Sequence, residues 1–293
     1  MRSRDSAGII GKLDYKRPGV KALYAVLFAV LVLISLVCLL PPLWLLSSSV
    51  KDIKEFFAIP PTLIPHTFEF GKLADTWKEL DFTRLYLNTL LLTAGTVVFS
   101  ILFNGLLGYF LAVLKPSGSR IVFVLVLWTM LLPNTLGMVP IFKNIIDFPV
   151  LGINLTNSFL PMWMMAGSNA FYVLIFKGFF EGIPPALIDA AKIDGCTRLA
   201  IFFRIVVPLS VPVIMAITIF TVNAAWADFF WPYMVLKDNN MWTVIVAIFN
   251  MKTTASLDVQ FIALAYAIIP PAILFLFFQK YIMQGFTFSG IRG

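Results

Sequence analysis

The chain has 293 residues, of which 60% are hydrophobic and only 13% charged, and it carries a net charge of +7. So few charged side chains cannot give a chain this apolar a water-facing surface, which excludes an ordinary soluble globular protein. The positive charge is spread over short polar segments and gathers on no folded face, so no nucleic-acid partner is expected.

Six stretches lack any charged residue: residues 22–50, 85–114, 121–142, 148–176, 205–227 and 259–279. The shortest holds 21 residues, and about 20 residues of helix cross a hydrocarbon core of roughly 30 Å. Each stretch is apolar on every face, whereas barrel strands alternate apolar and polar over about 10 residues. The expected fold is all-α, a polytopic bundle of six transmembrane helices in contact with membrane lipid. Residues 1–21 form an N-terminal segment, residues 22–284 the bundle and residues 285–293 a tail. The first span follows six basic residues, exceeds a signal-peptide core in length and has no small-residue cleavage site after it, so it is expected to remain as an anchor.

Lys and Arg divide unevenly between the two sets of polar segments that six spans create. The set containing both termini holds 14 of them with 5 acids, a net +9, and the other set holds 8 with 10 acids, a net −2. Basic residues are retained on the cytoplasmic side, so both termini are expected there. Residues 51–84 then form the longest external loop, broken by Pro60, Pro61 and Pro65 and expected to carry one short helix over residues 70–80. Cys38 and Cys196 fall too far apart in this topology to pair. His66 has no second His or Cys beside it, which leaves no metal site in view.

Between the fourth and fifth spans, residues 178–204 form a cytoplasmic loop. Its centre reads Pro184-Pro185-Ala186-Leu187-Ile188-Asp189-Ala190-Ala191-Lys192-Ile193-Asp194-Gly195. Proline at the first turn, small residues in the middle and glycine past the end describe a compact surface helix with a defined stop. Thr197 suits the cap of a second short helix, and Pro208 marks the entry to the fifth span. Ala190 and Ala191 leave room for another protein's groove, while Asp189 and Asp194 offer charge-assisted bonds to hold its register. The same pattern also describes an amphipathic connector lying on the membrane surface.

This loop resembles the signature of ATP-binding-cassette (ABC) importer permeases: Glu-Ala-Ala, three residues, Gly, nine residues, then Ile, any residue, Leu, Pro. The chain has Asp189-Ala190-Ala191, Gly195, Ile205 and Pro208 at those spacings, with Asp for the usual Glu and Val207 for the usual Leu. More narrowly, it is similar to the carbohydrate permeases of the maltose/maltodextrin type. Carrying that likeness are Phe176-Lys177-Gly178-Phe179-Phe180, Trp226-Ala227-Asp228-Phe229-Phe230-Trp231-Pro232, and a tail with Gln279, Gly285, Gly290 and Arg292-Gly293.

The resemblance implies the type I ABC importer fold. It also implies a second homologous permease subunit, two copies of a cytoplasmic ATPase, an extracytoplasmic solute-binding protein and residence in the bacterial inner membrane. No GxxxxGK[ST] loop occurs, so ATP and Mg²⁺ are expected on the partner ATPase and no cofactor on this non-catalytic subunit. The implied solute is a sugar or oligosaccharide. Related permeases include some for acidic oligomers such as alginate, and the residues leave that choice open.

Asp189, Ala190, Ala191, Asp194 and Gly195 are the expected ATPase-coupling residues. Polar or aromatic groups within spans usually face a cavity or a neighbouring helix, so Asn104, Asn223 and Trp226, with Asn134 and Asn169 as further candidates, are expected along the substrate path. The alternatives are a permease for a non-sugar solute and an ion-coupled secondary carrier. The carrier requires ionisable groups or repeated broken helices within the spans, and the six runs hold no charge.

Overall fold

The computed structural model describes residues 18–289 apart from Pro61 and Val150. Among the described residues the regular structure is helical, the one exception being an isolated bridge between Phe148 and Ile153. The chain divides into two compact units, residues 1–73 with 256–265 and residues 74–255 with 266–293.

In the first unit, α1 (Pro18–Ser48) is apolar all round, and none of its most hydrophobic window is buried inside the chain. A helix of that kind takes lipid or another helix as its solvent. The segment after it is held by side chains. Asp52 accepts from the Lys54 amide at 2.8 Å to cap a 3-10 turn over Ile53–Phe57. Glu55 gathers the amides of His66 and Thr67, each at 3.1 Å, and the hydroxyls of Thr62 and Thr67. Burial draws the Glu55 pKa upward, but those donors outweigh it and hold the carboxyl below its ordinary range. Lys72 bridges Glu69 at 2.5 Å and Asp258 at 2.9 Å.

The second unit begins within α2 (Gly71–Glu79), the short helix expected in the loop. Its longest element is α3 (Phe82–Leu114), an uninterrupted 33-residue helix with π-turns at Ser100–Asn104 and Phe110–Leu114. There follow α4 (Ser119–Leu131), α5 (Met138–Ile146), α6 (Leu160–Ala166), α7 (Ala170–Phe180), α8 (Pro185–Ile193), α9 (Arg198–Leu209), α10 (Val211–Ala227), α11 (Phe230–Val235), α12 (Val244–Met251) and α13 (Leu257–Ser289). The first turns of α13 belong to the first unit and the rest to the second.

Among the described residues three helices, α1, α3 and α13, are each long and apolar enough to cross a membrane alone, and the count rises to at most six if each bent pair, α4 with α5, α7 with α8 and α9 with α10, is taken as one span. The expected 121–142 span stops as helix at Leu131 and resumes bent by 95°, and two further spans differ from straight helices for identifiable reasons. The 148–176 run opens as a loop pinned by Asn157, whose Oδ1 accepts from the amides of Lys237 and Asp238 at 2.6 and 2.9 Å. Helix begins only at Leu160 and breaks again at Gly167–Asn169. In the fifth run, α9 and α10 meet at 81° around Ser210, where Pro212 has no amide proton to continue the ladder.

The unit packs where small residues let helices approach. A Cβ on Gly108 of α3 meets the Phe176 Cβ of α7 at 2.7 Å, and one on Gly95 falls within 2.1 Å of the Trp163 ring of α6. One buried cluster joins Tyr109 of α3, Phe176 of α7, Phe202 and Val206 of α9, and Ile217 of α10.

Candidate functional site

The helix expected to carry coupling forms as α8, with Pro185 in its first turn. Its stop is a Schellman motif: the Cys196 amide donates to Ala191 O at 3.0 Å and the Gly195 amide to Lys192 O at 3.1 Å, with Gly195 at φ +78°. A side chain other than glycine is strained at that φ. Thr197 then caps α9 by accepting from the Ala200 amide at 3.2 Å.

The two faces of α8 have different neighbours. Ile188 and Ala191 are buried in the same cluster as Phe176 and Ile217, so the short helix is fixed to the core of its unit. Ala190, Asp189, Asp194 and Gly195 are exposed, and Ile193 stands 86% exposed at the end of the helix. Asp189 pairs with Lys192 at 2.9 Å. Of the expected alanine pair, therefore, Ala190 presents its methyl outward while Ala191 packs inward.

Asn104 lies at the break in the fourth run. It is fully buried, its amide donates to Ser100 O at 2.8 Å and Ala166 O at 2.9 Å, and its Oδ1 accepts from the Asn169 amide at 2.9 Å. Ala166 O ends α6, and Asn169 caps α7 through its own side chain, which accepts from the Tyr172 amide at 3.2 Å. Asn104 thus supplies the hydrogen bonds that a break between two helices leaves unmade. Its side chain faces that break. Asn223 is exposed and donates to Ile219 O at 3.1 Å, while the side chain of Asn134 is outside the described residues.

Trp226 borders a cavity of about 450 Å³ between α3, α10 and α13, together with Tyr86, Thr93 and Tyr266. The cavity wall is shaped by two prolines. Pro270 and Pro271 lie inside α13, and each lacks the proton that a helix would give to the carbonyl four residues earlier. Those carbonyls belong to Tyr266 and Ala267. The Tyr86 hydroxyl donates to the first at 2.6 Å and Trp226 Nε1 to the second at 3.1 Å. The two aromatic side chains are thereby fixed against α13, with ring centroids 5.8 Å apart. Tyr86 and Tyr266 gave no signal of their own in the sequence. The Pro270-Pro271 pair inside an apolar run did, because two orphaned carbonyls in a membrane require donors from a neighbouring helix.

Apolar helices, broken spans satisfied by buried polar side chains, and a capped surface helix fixed to the core define a multi-pass membrane permease. The chain belongs to the family of binding-protein-dependent transport system inner membrane components, whose model matches residues 104–287. It is therefore a protein of the inner membrane. It is 32% identical over 266 residues to the arabinooligosaccharides transport system permease protein AraQ of Bacillus subtilis (strain 168), covering 89% of this chain and 93% of that one. It is also 27% identical over 289 residues to the polygalacturonan/rhamnogalacturonan transport system permease protein YtcP of the same organism, covering 91% and 97%. Among solved structures, it shares a fold with a bacterial ABC transporter involved in the import of the acidic polysaccharide alginate, at TM-score 0.76 and 23% identity over 94% of this chain and 99% of that one.

Proposed function

We propose that this chain is the non-catalytic permease subunit of an ATP-driven importer that moves a sugar or oligosaccharide delivered by a solute-binding protein. Support for a sugar comes from its relatives, whose names assign them arabino-oligosaccharides and galacturonans. Support for an external binding protein comes from a similar chain solved with an alginate pentasaccharide-bound periplasmic protein. ATP and Mg²⁺ bind two copies of a cytoplasmic ATPase, a second homologous permease completes the path, and both termini of this chain lie in the cytoplasm.

The observation that carries the coupling role is the two-faced construction of α8. Its exposed face, with Asp189, Ala190, Asp194 and Gly195, meets the ATPase; its buried face, with Ile188 and Ala191, passes the push into the core shared by α3, α7, α9 and α10. A rigid link of this kind converts ATPase closure into a rocking of the bundle between inward- and outward-facing states. Trp226 and Asn223 of α10 border the substrate path. Asn104 serves that path indirectly, as a positioning residue that holds the break in the fourth span.

Uptake of labelled arabino-oligosaccharides and galacturonan oligomers by cells with and without this gene tests the function. Loss of uptake of at least one class on deletion, restored by the wild-type gene, is the expected result. Unchanged uptake of every oligosaccharide class, with loss of a non-sugar solute, contradicts it.

A further inference from the structure

The loop after α1 turns its charges inward and its apolar side chains outward. Residues 56–65 are ten in a row without a charge, and within them Phe57, Ile59, Leu63 and Ile64 are all exposed, Ile59 to 96% and Ile64 to 75%. The flanking Lys51 is only 3% exposed and donates to Thr62 O, while Glu55 accepts from the Thr62 hydroxyl and from the amides of His66 and Thr67. The Ser47 hydroxyl donates to Leu63 O at 2.6 Å, and Pro60, Pro61 and Pro65 have no amide proton to satisfy. A loop in water finds its hydrogen-bond partners in water. One that assigns its carbonyls to protein donors and omits three amides suits a medium that offers none.

The depth of the loop follows from the same contacts. At 1.5 Å per residue the 31 residues of α1 cover about 46 Å, close to a hydrocarbon core with both headgroup layers, so the last turn stands in the headgroup layer. Ser47 lies in that turn and ties Leu63 to it. Trp44 of α1 and Phe56 of the loop both pack on Phe261, with ring centroids 5.2 and 4.9 Å away, which fixes the loop to the helix end.

We propose that residues 57–64 form a rigid apolar tip seated in the interfacial layer of the outer leaflet, with lipid acyl chains as its occupant; only the choice of leaflet rests on the cytoplasmic termini proposed above. The tip continues the lipid-facing surface of α1, and exposed apolar patches of this kind mark contact with a membrane or a protein. Charge decides between those two. The tip has none of its own, and the Lys51 ammonium beside it is already engaged by Thr62 O and the Trp44 ring, so nothing charged is left there to select a protein partner. Seated in this way, the tip holds the outer end of α1 at a fixed depth.

Depth-dependent fluorescence quenching tests the proposal on the full chain, with Cys38 and Cys196 replaced by serine, in nanodiscs of phosphatidylethanolamine and phosphatidylglycerol. Ile59→Cys, Ile64→Cys and Asp75→Cys each carry an environment-sensitive fluorophore, Asp75 being an exposed charged residue of α2. Size-exclusion profiles before reconstitution report that each labelled chain is folded. At Ile59 and Ile64, quenching is expected to be stronger from lipids with a nitroxide near the headgroup end of the acyl chain than from lipids with one at the methyl end, and quenching by aqueous iodide about threefold weaker than at Asp75. Iodide quenching equal to that at Asp75, with no effect of the nitroxide lipids, places the tip in water and overturns the proposal. Shielding from iodide and from both lipids shows that protein covers the tip, and overturns it as well.

Discussion

The side chain of Asn104 accepts a hydrogen bond from the backbone amide of Asn169 at 2.9 Å, across 65 residues of sequence, and its own amide donates to Ala166 O on the other side of the same break. One buried side chain thus joins the end of α6 to the start of α7. Asn104→Ala leaves a buried carbonyl and a buried amide unpaired, at about 1–3 kcal/mol for each. Thermal unfolding of the detergent-solubilised chain is expected to shift clearly downward. An unshifted transition means that the break is satisfied in some other way.

The opposite orientations of Ala190 and Ala191 make a matched pair of tests. Ala191→Trp forces a large side chain into the cluster around Phe176 and Ile217, with an overpacking cost of about 1–3 kcal/mol or more. Yield and thermal stability are expected to fall. Ala190→Trp points outward and is expected to leave both intact while uncoupling ATP hydrolysis from transport. Equal loss of folded protein in the two variants contradicts the two-faced reading of α8.

Glu55 provides a pH test of the loop after α1. Its pKa lies below the ordinary carboxylate value because the donors from His66 and Thr67 favour the charged form over the opposing effect of burial. Its contribution to loop order is therefore fully present above the unfolded-state pKa of about 4.3, and is lost as pH falls through the lower folded-state value. Hydrogen exchange at the His66 and Thr67 amides is expected to be slow at pH 7 and to accelerate in Glu55→Gln at the same pH. Identical exchange in the two proteins contradicts this role for the carboxylate.

Membrane topology is open to thiol labelling. In a chain with Cys38 and Cys196 replaced by serine, a single cysteine at Thr67 is expected to react with an impermeant reagent added outside intact cells. One at Ser117 is expected to be shielded. Reaction at Ser117 contradicts a cytoplasmic location for that loop.

Much of this arrangement was legible in the residues. The all-helical class followed from apolar runs with no charge on any face, and the α8 stop followed from Gly195. The breaks in the fourth and fifth runs were harder to read, because absence of charge does not distinguish a straight helix from a loop. Asn157, Asn169 and Ser210 accomplish those breaks with uncharged polar groups that a charge count passes over. The inward turn of Ala191 was also invisible, since two adjacent alanines look alike until the helix is packed. Asn104 was expected along the substrate path or against a neighbouring helix, and its partners Ala166 and Asn169 lie more than 60 residues away, where sequence spacing does not reach.

The central claim is that the exposed face of α8 is where ATP hydrolysis reaches this subunit. A single cysteine at Ala190, in a chain lacking Cys38 and Cys196 and assembled with its cytoplasmic ATPase, tests this with a short thiol-directed cross-linker. A covalent product with the ATPase is predicted, together with loss of transport on linking. An assembled complex that yields no such product and transports normally after modification at Ala190 contradicts the claim.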